Sequence, residues 1–349
     1  MTIRTNPAVE RLEPYIPGEQ PRGGGYIKLN TNENPYPPAP AVIEAVRHTA
    51  DEAAYNKYPD PVATSLREAV ATSLHVPVQQ VLAGNGSDEV LRLICHAFLD
   101  PNAGDSIGML NPTYVLYQTL AEMFGAGVQS FRVQPPDYVI PGEAVSAAVK
   151  VFFLPNPNPP IGTRYPIGVL EQLAAADPAR LLVVDEAYVD FASGDSMEVF
   201  RRFPNVAVTR TFSKSYSLAG MRVGFIVARE PLIAELAKIK DSYNLNRVSL
   251  AAAEAAWKSR DYYDARCREI CADREWLRAE LIERGFEVPA SEGNFVFVRR
   301  AAAADLYARL KERKILVRYF KAAELADGVR ITIGTRPELK ALLAAIDDL

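Results

Sequence analysis

Between about residue 40 and residue 240, short apolar runs alternate with stretches of helical spacing, and this pattern predicts a sheet flanked by helices. One of these helices is expected to begin at Asp60-Pro61, where an N-cap residue precedes a proline. Strands that alternate with helices favour the α/β class, with a doubly wound and mostly parallel sheet. The predicted strands are 106–110, 128–133, 151–154, 181–184, 206–210 and 223–228.

The pattern changes on both sides of this region. Residues 1–40 are rich in proline, glycine and asparagine, and we expect an irregular N-terminal arm there that packs with the small domain. Residues 41–245 form the predicted large, cofactor-binding domain, and residues 246–349 a smaller α+β domain. The elements predicted for the small domain are helices over 247–258, 261–284 and 302–313 and strands over 294–298, 315–318 and 329–333.

Composition narrows the possible functions. The chain has 349 residues, 48% of them hydrophobic, which is enough for a large core. A net charge of −4 without a basic stripe argues against a nucleic-acid partner, and no apolar run approaches the ~20 residues of a membrane span. Three cysteines and no apolar N-terminal signal indicate a cytoplasmic protein. Cys267 and Cys271 are one helical turn apart, but no further ligands cluster near them, so no metal site is predicted.

The segment around Lys214 carries the strongest chemical signal. Lys214 follows Thr211 and Ser213, and Arg222 comes eight positions later. A lysine amine can form a Schiff base with an aldehyde cofactor, while the hydroxyls and the guanidinium can hold the phosphate of that cofactor. The segment resembles the cofactor-lysine segment of fold-type I pyridoxal-phosphate aminotransferases. The alternative is a surface lysine in a serine-rich loop.

A carboxylate is expected near that lysine. Asp185 follows the apolar run 181–184, which predicts a strand buried on both faces. Ligands of open α/β sheets bind outside the carboxyl ends of the strands, and about 30 residues separate Asp185 from Lys214, the length of one strand-helix-strand unit. A carboxylate beside a pyridine nitrogen keeps the ring protonated, and Tyr188 is placed to hydrogen-bond the 3-oxygen of the ring. The alternative is an aspartate that caps a loop.

A glycine loop before a predicted helix supplies an anion site. Gly84-Asn85-Gly86 allows a tight turn after a short strand, and Ser87-Asp88-Glu89 opens a helical pattern with Ser87 as the expected N-cap. The unpaired N–H groups of a first helical turn bind phosphate. Gly86, Ser87 and Asp88 therefore join the predicted cofactor site.

Taken together, these motifs resemble those of the histidinol-phosphate aminotransferase family over nearly the whole chain. The resemblance implies the fold-type I architecture, a homodimer and dependence on pyridoxal 5'-phosphate. The matching segments are Leu29-Asn30-Thr31-Asn32-Glu33-Asn34-Pro35, Tyr58-Pro59-Asp60, Gly86-Ser87-Asp88-Glu89, Pro112-Thr113-Tyr114, Asp185-Glu186-Ala187-Tyr188, Ser213-Lys214 with Arg222, and Val329-Arg330-Ile331-Thr332-Ile333-Gly334-Thr335.

The resemblance also implies roles for single residues. Tyr114 is expected to stack on the pyridine ring, and Tyr58 to cross the dimer interface to the cofactor phosphate of the partner. Arg330 is expected to bind the α-carboxylate of the substrate in a bidentate manner, and Arg318 to lie near the phosphate end of the substrate. Asn32, in the first matching segment, is a further expected substrate-binding residue. Each arginine could instead be an ordinary exposed side chain.

One loop departs from the family pattern. Relatives commonly carry an Asn-Asn-Pro-Thr-Gly-like turn whose asparagine hydrogen-bonds the 3-oxygen of the cofactor. Here the segment is Pro157-Asn158-Pro159-Pro160-Ile161-Gly162, so Asn158 is the predicted replacement, with Pro159 and Ile161 at positions where asparagine and threonine are usual. The prolines fix φ and remove N–H donors, which predicts a stiff turn.

The predicted activity is an aminotransferase of histidine biosynthesis. It would convert histidinol phosphate and 2-oxoglutarate to imidazole acetol phosphate and glutamate by ping-pong kinetics, with Lys214 as general base and Asp185 stabilising the electron-rich state. An aromatic amino-acid aminotransferase and a threonine-phosphate decarboxylase on the same scaffold remain open alternatives. A non-enzymatic pyridoxal-phosphate sensor is a further alternative, although we find no segment that would form its DNA-binding module.

Overall fold

The computed structural model describes residues 3–5, 7–10, 12, 18–21, 23–52 and 54–348. A seven-stranded sheet lies at its centre, with the strand order β2-β8-β7-β6-β5-β3-β4. β8 runs antiparallel to both of its neighbours, and the other six strands run parallel to one another, so the prediction of an α/β fold with a mostly parallel sheet is confirmed. The strands are β2 (Val81–Gly84), β3 (Ser106–Asn111), β4 (Gly127–Arg132), β5 (Val151–Pro155), β6 (Leu181–Asp185), β7 (Val206–Thr211) and β8 (Gly224–Val227).

Helices cover both faces of this sheet. Successive residues of a strand point to opposite faces, and on β5 Phe152 and Phe153 belong to two different hydrophobic clusters, one on each side. Two buried layers on one sheet explain why the strands are continuously apolar. The helices are α1 (Pro7–Glu10), α2 (Pro40–Asp51), α3 (Thr64–Leu74), α4 (Ser87–Phe98), α5 (Leu116–Met123), α6 (Gly142–Val145), α7 (Ile167–Ala176), α8 (Met197–Arg202), α9 (Glu230–Ile239) and α10 (Arg247–Lys258).

The predicted start of a helix at Asp60-Pro61 is wrong. The carboxylate of Asp60 accepts hydrogen bonds from the backbone N–H groups of Val62 (3.0 Å) and Thr64 (2.6 Å), which closes a turn instead. Ala63 then adopts a left-handed conformation with φ of 51°, and helix α3 begins at Thr64. The side chain of Asp60 thus competes with the helix that it was expected to cap.

A second sheet, in the order β11-β12-β9, is antiparallel and packs with long helices to form the C-terminal part of the chain. Short strand β1 (Ile27–Lys28) pairs in parallel with β10, and the predicted strand 315–318 is divided into two pieces. The elements are α11 (Arg260–Glu283), β9 (Phe295–Arg299), α12 (Ala303–Glu312), β10 (Ile315–Leu316), β11 (Arg318–Tyr319), β12 (Gly328–Thr332) and α13 (Arg336–Asp347).

The three-part division at residues 40 and 245 stays a proposal. A separate hydrophobic cluster around Phe295, Ile331 and Leu342 supports a small domain, and the pairing of β1 with β10 supports packing of the arm against it. Residues 13–17 of the predicted arm, including Tyr15, lie outside the described residues. Within the part of the chain that the structure describes, no helix has both the length and the apolar composition required to cross a bilayer.

Candidate active site

The carboxyl ends of β5, β6 and β7 lie side by side at one edge of the large sheet. Pro155 is the register partner of Asp185, and Asp185 is the register partner of Thr209. A cavity of about 180 Å³ opens at this edge, which is the position expected for ligands of open α/β sheets. The predicted site residues that line it are Ser87, Asp88, Tyr114, Asp185, Tyr188, Thr211, Ser213, Lys214 and Arg222.

Asp185 is a buried carboxylate at the last position of β6. Tyr117 donates a hydrogen bond of 2.7 Å to its Oδ2 atom, and Thr209 donates one of 3.0 Å to its Oδ1 atom. Burial raises the pKa of Asp185 to about 6, and these two hydrogen bonds oppose that rise. Asp185 therefore ionises near neutral pH, where it can accept a hydrogen bond from a protonated ring nitrogen.

The amine of Lys214 reaches the same cavity from the loop after β7. Its Nζ atom donates to the backbone oxygen of Thr31 at 3.2 Å and lies 5.9 Å from the ring centroid of Tyr188. Burial, and next the positive charge of Arg330, lower the pKa of Lys214 from 10.5 to about 8. A lysine with this pKa is neutral often enough at physiological pH to attack an aldehyde or to accept a proton.

The N-terminus of α4 forms an anion cradle with Arg222. The prediction that Ser87 caps this helix is wrong, because Gly86 is the N-cap and Ser87 is the first helical residue. Gly86 has a φ of +80°, and a Cβ atom there would lie 2.6 Å from Nη2 of Arg222. A Cβ atom on Gly224 would lie 2.4 Å from the backbone nitrogen of Ser87. Both glycines therefore let the loop, the helix terminus and the guanidinium approach one another closely.

Arg222 also contacts other members of the cradle. Its Nη1 atom lies 3.4 Å from Oγ of Ser213, and its Nη2 atom is 2.9 Å from Oδ2 of Asp88. Tyr114 donates to the other oxygen of Asp88 at 3.2 Å, which fixes the tyrosine at the mouth of the cradle. Hydroxyls, a guanidinium and the N–H groups of a helix terminus together suit a phosphate group.

Asn32 connects Tyr188, at the cavity, to the small sheet that contains β12. The amide nitrogen of Asn32 donates to the hydroxyl oxygen of Tyr188 at 2.9 Å. Thr332, on β12, donates to Oδ1 of Asn32 at 3.1 Å, so the asparagine is held from the small sheet. Asn32 is buried, and it reaches the cavity through Tyr188 and is not among the residues that line it.

The two predicted substrate arginines are direct neighbours. Arg318 on β11 and Arg330 on β12 are register partners, so their side chains leave the same face of the sheet. Arg330 donates to the backbone oxygen of Asn30 at 3.1 Å and is close enough to Lys214 to lower its pKa. Arg318 lines a second, smaller cavity together with Glu19 and neighbouring residues.

Asn158 and Tyr58 are two further predicted site residues that do not line the cavity. Asn158 is buried, donates to the backbone oxygen of Pro112 at 3.0 Å, and accepts from the hydroxyl of Thr113 at 2.7 Å; Pro159 lines the cavity in its place. Tyr58 is 77% exposed and stacks on Tyr243 with ring centroids 4.2 Å apart.

The residues that support Asp185 were not among the predicted site residues. Thr209 precedes Thr211 by two positions on β7, so strand periodicity could have indicated it, whereas Tyr117 lies on α5 and Tyr114 precedes that helix. Glu186 and Arg210, which form a buried ion pair of 2.7 Å behind the strand end, were not predicted either. Glu186 directly follows Asp185 in the sequence, but no sequence pattern indicated that it pairs with Arg210.

The side chains of this cavity fit a phosphorylated aldehyde that carries a basic aromatic ring. Lys214 offers an amine of lowered pKa for the aldehyde, and Asp185 a buried carboxylate for the ring nitrogen. Arg222, Ser213 and the terminus of α4 offer donors for a phosphate group. These are the functional groups that pyridoxal 5'-phosphate requires of a protein.

Comparisons with known proteins agree with this arrangement. Residues 25–346 match the family model described as aminotransferase class I and II. The chain is 46% identical to a histidinol-phosphate aminotransferase of Geobacter sulfurreducens, covering 100% of this chain and 99% of that protein. It is 43% identical to one of Synechocystis sp., covering 99% and 98%. It also resembles the crystal structure of histidinol-phosphate aminotransferase from Sinorhizobium meliloti in complex with pyridoxal-5'-phosphate, with a TM-score of 0.89, 26% identity, and coverage of 99% and 97%.

Proposed function

Because the chain belongs to the class I and II aminotransferase family, we propose that it transfers the amino group of histidinol phosphate to 2-oxoglutarate. The products are imidazole acetol phosphate and glutamate, in a step of histidine biosynthesis. The enzyme depends on pyridoxal 5'-phosphate, which supplies an aldehyde that carries the amino group and a ring that accepts electrons. The observation that carries the proposal is the convergence of Lys214, Asp185 and the anion cradle on one cavity, within a chain similar over its full length to such enzymes.

Each group of the cavity has a distinct task. Lys214 would hold the cofactor covalently until the amine of the amino donor displaces its Nζ atom, and the freed lysine amine would then remove the proton from Cα of the donor. Asp185 would stabilise the protonated ring nitrogen, and Tyr188 would bind the 3-oxygen. Tyr114 would stack on the ring, which keeps its plane fixed relative to the Cα–H bond that breaks.

The cradle would bind the cofactor phosphate. Arg222 contributes charge, Ser213 and Thr211 contribute hydroxyls, and the first turn of α4 contributes N–H groups. We propose an indirect role for Asn158, since its amide is bonded to Pro112 and Thr113 and therefore shapes the loop that carries Pro159.

The arginine pair would bind the anionic groups of the substrates. Arg318 and Arg330 lie directly opposite each other on neighbouring strands, and their like charges repel. An anion bound between them would relieve this repulsion, so the space beside the pair attracts anions. Histidinol phosphate carries a phosphate ester on the carbon next to its amine-bearing carbon, and 2-oxoglutarate carries two carboxylates. One pair of arginines could therefore serve both substrates in turn, with Asn32 holding Tyr188 beside them.

A donor screen tests the proposed reaction. Histidinol phosphate, phenylalanine, tyrosine and threonine phosphate are each incubated with 2-oxoglutarate, and glutamate and carbon dioxide are measured. We expect glutamate from histidinol phosphate at the highest kcat/KM and no carbon dioxide. A higher kcat/KM for phenylalanine would indicate an aromatic aminotransferase, and carbon dioxide from threonine phosphate would indicate the decarboxylase.

We further propose that the enzyme is a homodimer in which Tyr58 reaches the site of the partner. Tyr58, 77% exposed, and Tyr243, 44% exposed, form a stacked aromatic patch with Tyr55 and Val62 nearby in sequence. Exposed apolar patches of this kind are typical of interaction sites. Asn244, next to Tyr243, donates to the buried carboxylate of Glu89 at 2.8 Å, so the patch adjoins the anion cradle.

Mixing two impaired variants tests this assembly. A Lys214→Ala protomer paired with a Tyr58→Ala protomer regenerates one intact site per dimer, so activity should rise above the sum of the separate variants. No rise after subunit exchange, checked by sedimentation, would refute the shared site.

We also propose a cytoplasmic location, which the free thiols Cys95, Cys267 and Cys271 support and cell fractionation can check.

A further inference from the structure

Both oxygens of the Asp185 carboxylate are held by buried hydroxyl groups from different elements. Tyr117, on α5, approaches Oδ2 at 2.7 Å, and Thr209, on β7, approaches Oδ1 at 3.0 Å. We infer that Tyr117 and Thr209 are positioning residues that keep Asp185 ionised and fixed in orientation at the cavity. The inference rests on the proposed function only for the use of that carboxylate, which is to stabilise a protonated ring nitrogen.

The direction of the two hydrogen bonds specifies the protonation state. Each hydroxyl has a single proton, and each proton is given to Asp185, so the carboxyl group acts only as an acceptor. A protonated Asp185 would be a weaker acceptor than the carboxylate, so protonation would weaken these bonds. Hydrogen bonds to the charged form favour that form, and those with an ionised acceptor are about twice as strong as neutral ones. The pair therefore opposes the effect of burial.

Tyr117 is built into the core in a way that fixes its hydroxyl. Its ring stacks on Phe153 of β5, with centroids 4.9 Å apart and planes inclined by 1°. It also meets the ring of Tyr114 edge-on at 5.6 Å. Tyr117 thus touches two residues that would contact the cofactor ring, Asp185 and Tyr114. A phenylalanine at position 117 would keep both ring contacts and remove only the hydrogen bond.

Thr209 fixes the second oxygen through the sheet. It is the register partner of Asp185, and the backbone oxygen of Asp185 accepts from Asn156 on the other side at 2.9 Å. The backbone of Asp185 is therefore held by strand pairing, and its carboxylate by the two side-chain hydroxyls. Other titratable and charged groups facing the same cavity are Asp88 from α4, whose charge raises the pKa of Asp185, with Tyr188, Lys214 and Arg222 from the loops.

The ionisation of Asp185 can be followed through the way the stability of the cofactor-free protein changes with pH. The folded-state pKa of Asp185, about 6, lies above the usual value of 3.8, so the folded protein binds this proton more tightly than the unfolded chain does. The resulting contribution to the free energy of unfolding is complete below about pH 4 and is lost as pH rises through 6. Thermal unfolding from pH 4 to pH 8, compared with Asp185→Asn in the same background, isolates this loss. Tyr117→Phe should move its midpoint upward by about one pH unit, and Thr209→Val in the same direction.

A matched control separates this effect from packing. Tyr263→Phe also removes a buried tyrosine hydroxyl, but one bonded to the backbone N–H of Ala39, and should leave the midpoint unchanged. If Tyr117→Phe lowered the unfolding temperature equally at every pH with an unmoved midpoint, the inference would be overturned. If Tyr117→Phe does not fold, the same test is applied to Thr209→Val: an unmoved pH midpoint in that variant would overturn the inference.

A second readout is the dissociation constant of pyridoxal 5'-phosphate measured from pH 6 to pH 8, followed by protein fluorescence. Tyr117→Phe should weaken binding, and less so at higher pH, where Asp185 is ionised in both proteins. Equal weakening at every pH would count against the inference.

The positioning role and the proposed reaction can be refuted independently of each other. An unmoved midpoint in an enzyme that accepts histidinol phosphate refutes the positioning role alone. A shifted midpoint in a protein that rejects histidinol phosphate refutes the proposed reaction alone.

Discussion

The amide of Asn32 donates a hydrogen bond of 2.9 Å to the hydroxyl oxygen of Tyr188, across 156 residues of sequence. Asn32 has a left-handed backbone conformation, with φ of 54°, which asparagine tolerates better than most residues. The backbone N–H of Asn32 donates to Oγ1 of Thr332 at 2.9 Å. The asparagine therefore ties a wall of the cavity to the small sheet that carries the two arginines.

This tie predicts a measurable coupling. Asn32→Ala should lower the free energy of unfolding by about 1–3 kcal/mol, because the hydroxyl of Tyr188 and that of Thr332 each lose a buried partner. Tyr188→Phe removes the other end of the bond. A double-mutant cycle by urea unfolding should give a coupling energy of about 0.5 kcal/mol or more, and simple additivity would contradict the proposed link.

The lowered pKa of Lys214 predicts a second outcome. Competitive acetylation of the cofactor-free protein, followed by mass spectrometry, should show that labelling of Lys214 rises with pH through a midpoint near 8, since only the neutral amine reacts. After burial, the charge of Arg330 is the next cause of this lowering. Arg330→Met should therefore move the midpoint upward, by up to about one pH unit.

Arg336→Met is the matched control for that experiment. It removes an arginine of the small domain that is bonded to Asp273 at 2.7 Å and is not among the causes of the Lys214 shift. The labelling midpoint should stay unchanged. If Arg330→Met left the midpoint in place as well, burial alone would set the pKa of Lys214.

The strand end next to Asp185 is held by an ion pair that the sequence did not reveal. Arg210 and Glu186 are both buried, 2.7 Å apart, and Asp195 contacts the same guanidinium at 2.9 Å. Arg210→Met should cost about 3–5 kcal/mol in urea unfolding, because it leaves Glu186 buried without its cation. Adding Glu186→Leu should recover part of that loss. A double variant less stable than the sum of both single changes would contradict this view.

Site residues could be predicted from the sequence where they lie at the end of a recognisable strand or helix pattern. Asp185 could be placed because an apolar run ends at it, and Gly86 because a glycine loop precedes a helical pattern. Tyr117 could not be linked to Asp185, because 68 residues separate them and only the packing of α5 on the sheet brings them together. The start of α3 was missed because a side-chain hydrogen bond of Asp60 overrides the capping pattern.

The phosphate cradle predicts a difference between two ligands. Arg222→Met should weaken binding of pyridoxal 5'-phosphate by about 10- to 150-fold, the loss expected for charge-assisted hydrogen bonds. Pyridoxal, which lacks the phosphate, should bind the variant and the unchanged protein almost equally. Arg229→Met, which removes an arginine that stacks on Phe200, serves as the control. Equal weakening for both ligands would show that Arg222 does not act on the phosphate.

The arginine pair on β11 and β12 predicts how the enzyme selects its donor. Arg318→Ala should lower kcat/KM for histidinol phosphate by about tenfold or more, since a charge-assisted bond is worth roughly 1.5–3 kcal/mol, and should affect phenylalanine much less. Arg330→Met should impair both donors, because every donor places an anionic group near the amine that Lys214 must reach. Steady-state kinetics of both variants with both donors give the comparison. Equal losses for the two donors in Arg318→Ala would remove Arg318 from the phosphate site, and they would shift the assignment toward an aromatic donor while the aminotransferase activity stands.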